Sequence, residues 1–393
     1  MKNFFSLLAI CLSSVIFAEI TLKPFDGEVP LVPQIQKDLM AYQTPQERWA
    51  VLNEDNKRPA GERKYIRARK TGERMWRQAL AVVFEWSCTD GETGPFCIEV
   101  SENEDMSDLQ KIFAGKRTLF SAVDYNANFK IGTKYYWRVQ GFHGEGKEKQ
   151  RVTSAIGTFV TEDVPPRWLA YEGRCGNFRD CGGWKTVDGR RLKQGLIFRS
   201  QGLNDNSPDE GLTPGRNRMT VSDVRYALDV LKIRTELDLR ATVETAGMTE
   251  SPLGPSVQYI NIRGNAYHAI YSNSGKRAMA NCFRVFCNPE NYPITFHCIG
   301  GADRAGSLAW ILKGAAGVSQ HDADVDWEQT FYPSLPNCDF YNCPEWLNFP
   351  GLNDGLLKYG KEGDSFQKRV ELYLMDCGIT MEEIQAFRKI VLE

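Results

Sequence analysis

The pattern of hydrophobic and polar positions divides the 393-residue chain into regions of different periodicity. Between residues 79 and 162, short apolar runs rich in β-branched and aromatic residues alternate with turn-forming segments. Such runs predict β-strands, here at 79–88, 96–103, 132–142 and 155–162. Because no long helical period interrupts them, they predict an all-β sandwich whose core covers about residues 75–162.

Beyond Pro165 and Pro166, strand-like and helix-like segments alternate instead. Strands are predicted at 195–200, 234–240, 257–262 and 294–298, and helices at 224–231, at 276–287 and after Gly306. This alternation predicts an α/β domain, a central sheet flanked by helices, over residues 165–393. It would follow the sandwich domain of residues 19–164. Ligands of such sheets gather at the carboxyl ends of the strands, where Arg240 and Cys298 both fall.

The first 18 residues differ from the rest of the chain. Lys2 is followed by an apolar run at 4–17, interrupted only by three serines, and Ala18 is a small residue suited to cleavage before Glu19. This pattern predicts a signal peptide at residues 1–18 and a secreted or periplasmic location. The run is shorter than the roughly 20 residues that a spanning helix needs, and no later stretch is long and apolar enough, so no membrane span is predicted.

Composition narrows the partners of the chain. Hydrophobic residues make up 42% and charged residues 25%, as in ordinary soluble globular proteins. The formal net charge of −2 provides no electrostatic basis for binding nucleic acid or an anionic membrane.

The cysteines suit an oxidising compartment. Eleven are present, one of them inside the predicted signal peptide. Turn-rich spacing favours disulfides between Cys88 and Cys97 and between Cys338 and Cys343. Cys282 and Cys287 fall in one predicted helix, too far apart for a bond. No cluster of histidine and cysteine has zinc-like spacing, so neither a metal nor another cofactor is predicted.

The strongest chemical signal is the segment TFHCIGGADRAGS at residues 295–307. A strand ending at Cys298 leads through a short loop into a helix, and successive amides in such a loop form a concave anion site. Gly300 and Gly301 let the backbone curl, and the planar fork of Arg304 matches two phosphate oxygens. The positive surroundings favour a thiolate at Cys298. Nucleophile, oxyanion cradle and charge clamp together predict phosphoryl transfer through a phosphocysteine.

The sequence HCIGGADR fits the His-Cys-x5-Arg signature of cysteine-based protein tyrosine phosphatases. Three further segments resemble the bacterial members of that family: GNFRDCGGWKTVDGRRLKQGLIFRSQGL at 176–203, KIRTELDLRATVE at 232–244 and DWEQTFY at 326–332. The resemblance covers roughly residues 168–393. The strands of the N-terminal region, with GTKYYWRVQGF at 132–142, resemble a fibronectin type III-like domain, and another kind of β-sandwich stays open as the alternative.

The family resemblance implies a role for each residue of the phosphate-binding loop, or P-loop. Cys298 is the nucleophile, Arg304 holds the phosphate, and His297 orients the loop and helps to hold the thiolate. The loop residues expected to bind phosphate are Ile299, Gly300, Gly301, Ala302, Asp303 and Arg304. The general acid is left open between Asp238, the family's usual candidate, and Asp303 within the loop.

Two positions depart from the family pattern. Ala305 replaces the hydroxyl residue that usually follows the loop arginine, which predicts slower breakdown of the phosphocysteine. Ala302 stands where many relatives have lysine, which weakens the case for polyphosphorylated lipid head groups. Arg199 and Arg240 either bind substrate or form structural ion pairs, with Asp180 or Glu244 as partners.

The sequence therefore predicts an exported phosphatase that acts on phosphotyrosine in a peptide or on a similar small phosphoester. One alternative is an inositol-phosphate phosphatase, which would need more basic residues around the loop. The other is a degenerate phosphatase domain that binds phosphorylated ligands. The predicted sandwich domain is expected to contact protein or glycan.

Overall fold

The computed structural model describes residues 18–59, 62, 79–89, 93–122, 128–144, 149–169, 171–173, 175–204, 218–245, 247–330 and 344–393. The apolar run of the predicted signal peptide and the predicted pair Cys338 and Cys343 lie outside these residues. In the part of the chain that is described, no helix combines the length and the apolar character needed to cross a bilayer.

The chain folds into two compact units. The first unit comprises Met1–Gly27, Val83–Ser121 and Lys134–Phe159. The second comprises Glu28–Val82, Ala122–Thr133 and Val160–Glu393. Each unit is therefore made of three separate segments of the chain. The domain boundary predicted at residue 164 stays a prediction.

The first unit is built from strands that form two sheets. The strands are β1 (Ile20–Leu22), β2 (Val82–Cys88), β3 (Phe96–Ser101), β4 (Gln110–Gly115), β5 (Leu119–Ala122), β6 (Lys134–His143), β7 (Gln150–Thr153) and β8 (Gly157–Val160). One sheet has the order β1-β2-β5, and the other has the order β4-β3-β6-β7 with β8 paired to β6. The strands predicted from alternating hydrophobicity are therefore present.

Aromatic side chains from the two sheets meet in the core of this unit. The rings of Phe84 on β2 and Trp137 on β6 are 5.0 Å apart, and those of Trp86 and Phe96 are 5.5 Å apart. Alternate residues of β2 and β6 are buried, because successive side chains of a strand point to opposite faces. The fibronectin type III-like identity of the unit stays a prediction.

The predicted disulfide between Cys88 and Cys97 is wrong for this structure, in which both are free cysteines. Cys88 ends β2 and pairs with Ile20 in one sheet, whereas Cys97 pairs with Phe113 and Gln140 in the other. Closeness in sequence across a turn suggested a bond, but the turn joins strands of different sheets. Cys282 and Cys287 are also free, as their spacing predicts.

The second unit contains a six-stranded sheet of order β13-β12-β14-β11-β10-β9. Its strands are β9 (Arg167–Trp168), β10 (Arg179–Asp180), β11 (Ile197–Ser200), β12 (Thr235–Asp238), β13 (Gln258–Asn261) and β14 (Ile294–His297). The neighbours β13, β12, β14 and β11 run parallel, and β10 and β9 complete the sheet with antiparallel pairings. The predicted mixed α/β architecture is confirmed.

Helices of the second unit pack on this sheet. They are α1 (Gln34–Met40), α2 (Pro45–Lys57), α3 (Val221–Asp229), α4 (Asn273–Val285), α5 (Asp303–Ala316), α6 (Gln320–Glu328), α7 (Pro344–Leu356), α8 (Phe366–Asp376) and α9 (Met381–Val391). One apolar core, with Leu237 and Phe296, includes α4, α5, α8 and α9, and a second core contains Phe198 and Tyr226 of α3. Thr220 and Asp223 form a capping box at the start of α3.

Most of the segment between β1 and β2 belongs to the second unit. The guanidinium of Arg48 on α2 pairs with Glu328 of α6 at 2.5 Å, and both side chains are fully buried. The contact shows that α2 is anchored to the helix that follows α5.

The parallel strands end in register at one edge of the sheet. His297, the last residue of β14, lies opposite both Ser200 of β11 and Asp238 of β12. Asp238 in turn lies opposite Asn261 of β13. The residues after these strands are therefore brought together at the edge where such sheets bind ligands.

Candidate active site

The loop at residues 298–302 joins β14 to α5 at this edge. Cys298 is buried, with 2% of its surface exposed. Helix α5 begins at Asp303, four residues before Ser307, where the sequence suggested its start, and its N-cap residue Ala302 provides no side-chain cap. The first amides of the helix therefore depend on another acceptor, and a bound anion is one that helix N-termini accept.

Glycine is required at one position of the loop. Gly301 has a φ of +67°, in the left-handed region that other residues rarely adopt. A Cβ atom at this position would lie 2.4 Å from the carbonyl oxygen of Ser200. The close approach of the loop to the end of β11 thus excludes a side chain.

Three consecutive loop carbonyls are held from behind, those of Ile299, Gly300 and Gly301. The amide of Gly202 donates to the first at 3.0 Å. The side-chain amide of Asn177 donates to the second at 3.3 Å and to the third at 3.0 Å. Arg199 also donates to the third, at 2.8 Å.

Peptide planarity then fixes the amides. In a trans peptide the N–H points opposite to the preceding C=O, so the amides of residues 300–302 face away from these donors. Within the described residues, the N–H groups of residues 299–302 have no protein acceptor. That these N–H groups bind the oxygens of a phosphoryl group above Cys298 stays a prediction from the sequence.

Arg304, on the first turn of α5, is held by Glu244. Its two terminal nitrogens donate to the two carboxylate oxygens of Glu244 at 2.6 and 3.0 Å. One of them also donates to the carbonyl of Leu239 at 3.3 Å. An end-on pair of this kind leaves the side edge of the guanidinium, with Nε, for another anion.

The charges near Arg304 agree with this geometry. Burial lowers the pKa of Arg304, but its bond to Glu244 and its electrostatic interactions with Cys298, Glu244 and Asp303 raise the pKa above its usual value. Burial likewise raises the pKa of Glu244, and the bond from Arg304 outweighs it and holds the pKa below its usual range. Both side chains are therefore charged at neutral pH.

Asp238 lies behind the loop and is fully buried. Its oxygens accept from Arg240 at 2.8 and 2.9 Å and from the hydroxyl of Tyr259 at 3.0 Å. Burial raises the pKa of Asp238, but His297 and the bonds from Arg240 hold the pKa below its usual range. A buried, ionised carboxylate engaged in this way is badly placed to donate a proton to a leaving group, which disfavours the assignment of Asp238 as general acid.

His297 lies between two buried carboxylates at the base of the loop. Its Nε2 atom is 2.8 Å from Glu236, and Nδ1 is 3.3 Å from the carbonyl oxygen of Cys298 and 3.7 Å from Asp238. The ligand atoms of these two carboxylates and His297 lie within 4.8 Å of one another, a spacing that a metal ion accepts. The adjacent positive charge of Arg240 and the existing hydrogen bonds oppose a cation there.

Asp303, the other candidate acid, is the half-buried first residue of α5. The hydroxyl of Tyr267 donates a short hydrogen bond to its Oδ1 atom. Tyr267 has a φ of +52° and its own amide donates to Ser307, so the ring is fixed beside the loop. Nothing in the spacing of the sequence indicated this contact, because Tyr267 follows a different strand.

Arg199 and Arg240 are structural ion-pair residues, although with partners other than those predicted. Arg199 pairs with Asp326 at 3.0 Å, and Arg240 pairs with Asp238. Asp180 instead pairs with Arg167. The sequence assigned no role to Asn177 and named Glu244 only as a possible ion-pair partner of Arg199 or Arg240, even though both stand in the segments that resemble the phosphatase family.

The match to a protein-family model supports phosphatase chemistry for this chain. Residues 172–333 match the model of the tyrosine phosphatase family. No curated protein sequence gives a significant match. Two solved structures are similar at 14% identity and a TM-score of 0.26: the Siw14 catalytic core, covering 40% of this chain and 78% of that chain, and the core catalytic domain of the PP-IP phosphatase SIW14 from S. cerevisiae in complex with citrate, covering 42% and 88%. From the family match, the chain is a phosphoric monoester hydrolase of the cysteine-based, tyrosine-phosphatase-like kind.

Proposed function

We propose that this protein is an exported phosphatase that hydrolyses phosphotyrosine or similar phosphomonoesters through a phosphocysteine intermediate. The observation that carries the proposal is the loop at residues 298–304. Its carbonyls are bonded from behind, its amides face the opposite side, and the side edge of Arg304 is left for phosphate oxygens. A buried cysteine at the base of such a cradle is placed to attack phosphorus.

In the first step, the Cys298 thiolate attacks phosphorus, and the bond between phosphorus and the ester oxygen breaks. The loop amides and Arg304 stabilise the charge on the transferring oxygens. Asp303 donates a proton to the leaving oxygen. We assign this role to Asp303 because it stands at the loop and is half-buried, whereas Asp238 is fully buried and ion-paired.

In the second step, water attacks the phosphocysteine, and the sulfur–phosphorus bond breaks. The Asp303 carboxylate accepts a proton from the water, and Cys298 departs as a thiolate. Ala305 is fully buried on the first turn of α5 and offers no hydroxyl to stabilise that thiolate. The second step is therefore expected to limit turnover.

The remaining parts of the proposal rest on the sequence. The pattern at residues 1–18 supports export, and the domain division at 164 and 165 separates a fibronectin type III-like sandwich from the phosphatase domain. We propose that the sandwich contacts protein or glycan near the substrate. The single Arg304 in HCIGGADR, with Ala302 in place of lysine, favours a singly phosphorylated ester over a polyphosphorylated inositol.

The test is turnover of an aryl phosphate by the wild type and by Cys298→Ser. We expect loss of at least about 10³-fold in kcat/KM in the variant, because oxygen at this position lacks the reactivity of a thiolate. Retained turnover in Cys298→Ser would remove the proposal. Binding of vanadate by a wild type that releases no phosphate, from phosphopeptide or inositol phosphate, would identify a binding domain instead, as Ala305 permits.

A further inference from the structure

A buried group of charges lies behind the P-loop and is centred on Asp326 of α6. Three cations surround its carboxylate: Arg179 at 2.8 Å, Arg199 at 3.0 Å and Lys313 at 3.0 Å. All four side chains are at most 2% exposed. With one negative and three positive charges, the group carries a surplus of two positive charges.

Maintaining such a group is costly for folding. Burial and the neighbouring Arg199 lower the pKa of Arg179 to about 10. The Nε atom of Arg199 has no hydrogen-bond partner within the described residues. Well-packed apolar residues would be at least as stabilising as buried ion pairs. The group of four charges is better explained by its effect on the neighbouring P-loop.

The group reaches the P-loop through two side chains. Arg199 donates from one terminal nitrogen to Asp326 and from the other to the carbonyl of Gly301. Asn177 accepts a short hydrogen bond from Arg179 at its Oδ1 atom, which orients its Nδ2 atom toward the carbonyls of Gly300 and Gly301. Asn177 has a φ of +53°, so the backbone itself is set to place this side chain.

We propose that Asn177 and Arg199 are positioning residues that set the direction of the loop peptides through the Asp326 group. This inference rests on the proposed function, because it assigns the amides of Gly301 and Ala302 to the phosphoryl oxygens. Without Asn177 and Arg199, a peptide rotated by half a turn would direct a carbonyl oxygen, instead of an amide, at the phosphate. The two positive charges in excess also favour carbonyl oxygens on their own side of the loop.

The main variant is Asn177→Gly, because glycine tolerates the positive φ and removes only the side chain. We expect kcat/KM to fall about 10²-fold, the effect of losing one oriented oxyanion donor. The matched control is Asn291→Ala. Asn291 is also a buried asparagine whose Nδ2 atom donates to a main-chain carbonyl, that of Val285 at 2.7 Å. We expect its kcat/KM to stay within about threefold of the wild type.

A second variant, at Arg199, tests the inference without any change at position 177. Arg199→Lys retains the charge beside Asp326, but its single nitrogen is not a fork that can bind Asp326 and the carbonyl of Gly301 with fixed geometry. We expect about a tenfold fall in kcat/KM. Arg388→Lys is its control. Arg388 is a buried arginine that likewise bonds a carbonyl, that of Ala315 at 2.6 Å, and a carboxylate, that of Glu371 at 2.6 Å.

Alkylation of Cys298 distinguishes positioning from general damage and needs no turnover. An intact cradle makes anionic iodoacetate react faster than neutral iodoacetamide, and the ratio of the two rates reports amide orientation. We expect the ratio to fall about tenfold in Asn177→Gly and in Arg199→Lys, and to be unchanged in both controls.

Unchanged ratios in folded variants would overturn the inference, and so would a wild type without any preference for iodoacetate. A wild type with the preference but no turnover would overturn the proposed function alone. In that case the variants would still decide whether Asn177 and Arg199 orient the loop.

Discussion

The pair of Arg304 and Glu244 provides the sharpest test of how the site is built. The change is Glu244→Gln, which keeps the size of the side chain and removes its charge. In the structure the carboxylate receives two hydrogen bonds from Arg304, at 2.6 and 3.0 Å, and one from the amide of Ala241 at 2.6 Å. The side chains of Arg304 and Glu244 are 20% and 27% exposed. A glutamine accepts only one of the two bonds from Arg304, so the guanidinium is held less firmly.

The magnitude follows from the two kinds of energy involved. A hydrogen bond between charged groups contributes about 2 kcal/mol where it is partly shielded from water. If that orientation is used in the transition state, kcat/KM falls about 30-fold. The free energy of unfolding should change by only about 1 kcal/mol, because the pair lies near the surface.

The assay is kcat/KM for an aryl phosphate, with vanadate inhibition and thermal unfolding measured on the same samples. The pKa of Glu244 is lowered, so the pair persists above that pKa and is lost as the pH falls through it. The advantage of the wild type over Glu244→Gln should therefore be constant near neutral pH and shrink at the acid end of the profile.

A double-mutant cycle with Arg304→Lys gives the refutation. If Glu244 acts through Arg304, removing its charge in the Arg304→Lys background should cost less than threefold. Equal losses in both backgrounds, or a Glu244→Gln variant within twofold of the wild type, would show that the end-on pair does not position the arginine for phosphate.

Four further substitutions test the remaining parts of the site. Asp303→Asn should lower kcat/KM about 10²-fold for phenyl phosphate and much less for the ester of a substituted phenol that leaves readily. Asp238→Asn should lower the thermal midpoint, and its kcat/KM should not depend on the leaving group in this way. The opposite pattern would return the acid role to Asp238. Ala305→Ser should raise the steady-state rate several-fold and reduce the pre-steady-state burst, and an unchanged burst would contradict a slow second step. Gly301→Ala should abolish vanadate binding, because its Cβ would lie 2.4 Å from the carbonyl oxygen of Ser200, and calorimetry showing wild-type affinity would contradict the steric argument.

Features that depend only on residues close together in the chain could be predicted from the sequence. The segment around Cys298 and Arg304 predicted a strand, a short loop and a helix, and residues 298–302 do join β14 to α5 as a loop. Short apolar runs predicted β2 and β6, and the helical pattern at 224–231 predicted α3. Each of these depends on local backbone geometry, which a few consecutive residues determine.

The choice of general acid between two carboxylates could not be made from local sequence. Asp238 and Asp303 both stand where a strand or loop ends, and the sequence left them open. Only the packing shows that Asp238 is buried against Arg240, while Asp303 stands at the loop beside Tyr267. Burial and ion pairing depend on which strands are neighbours, and this is not encoded in the period of one strand.

For the same reason, contacts made across the sheet could not be predicted from the sequence. The sequence by itself determined the order of the elements and the strand–loop–helix segment that contains Cys298, Gly301 and Arg304, and it predicted the roles of these residues. The tertiary structure decided that Asp326 meets Arg179, 147 positions earlier in the chain, and that Asn177 bonds Gly301, 124 positions later. Strand order and register bring these side chains together, and both are set by the collective packing of the core and not by the residues on either side of each position.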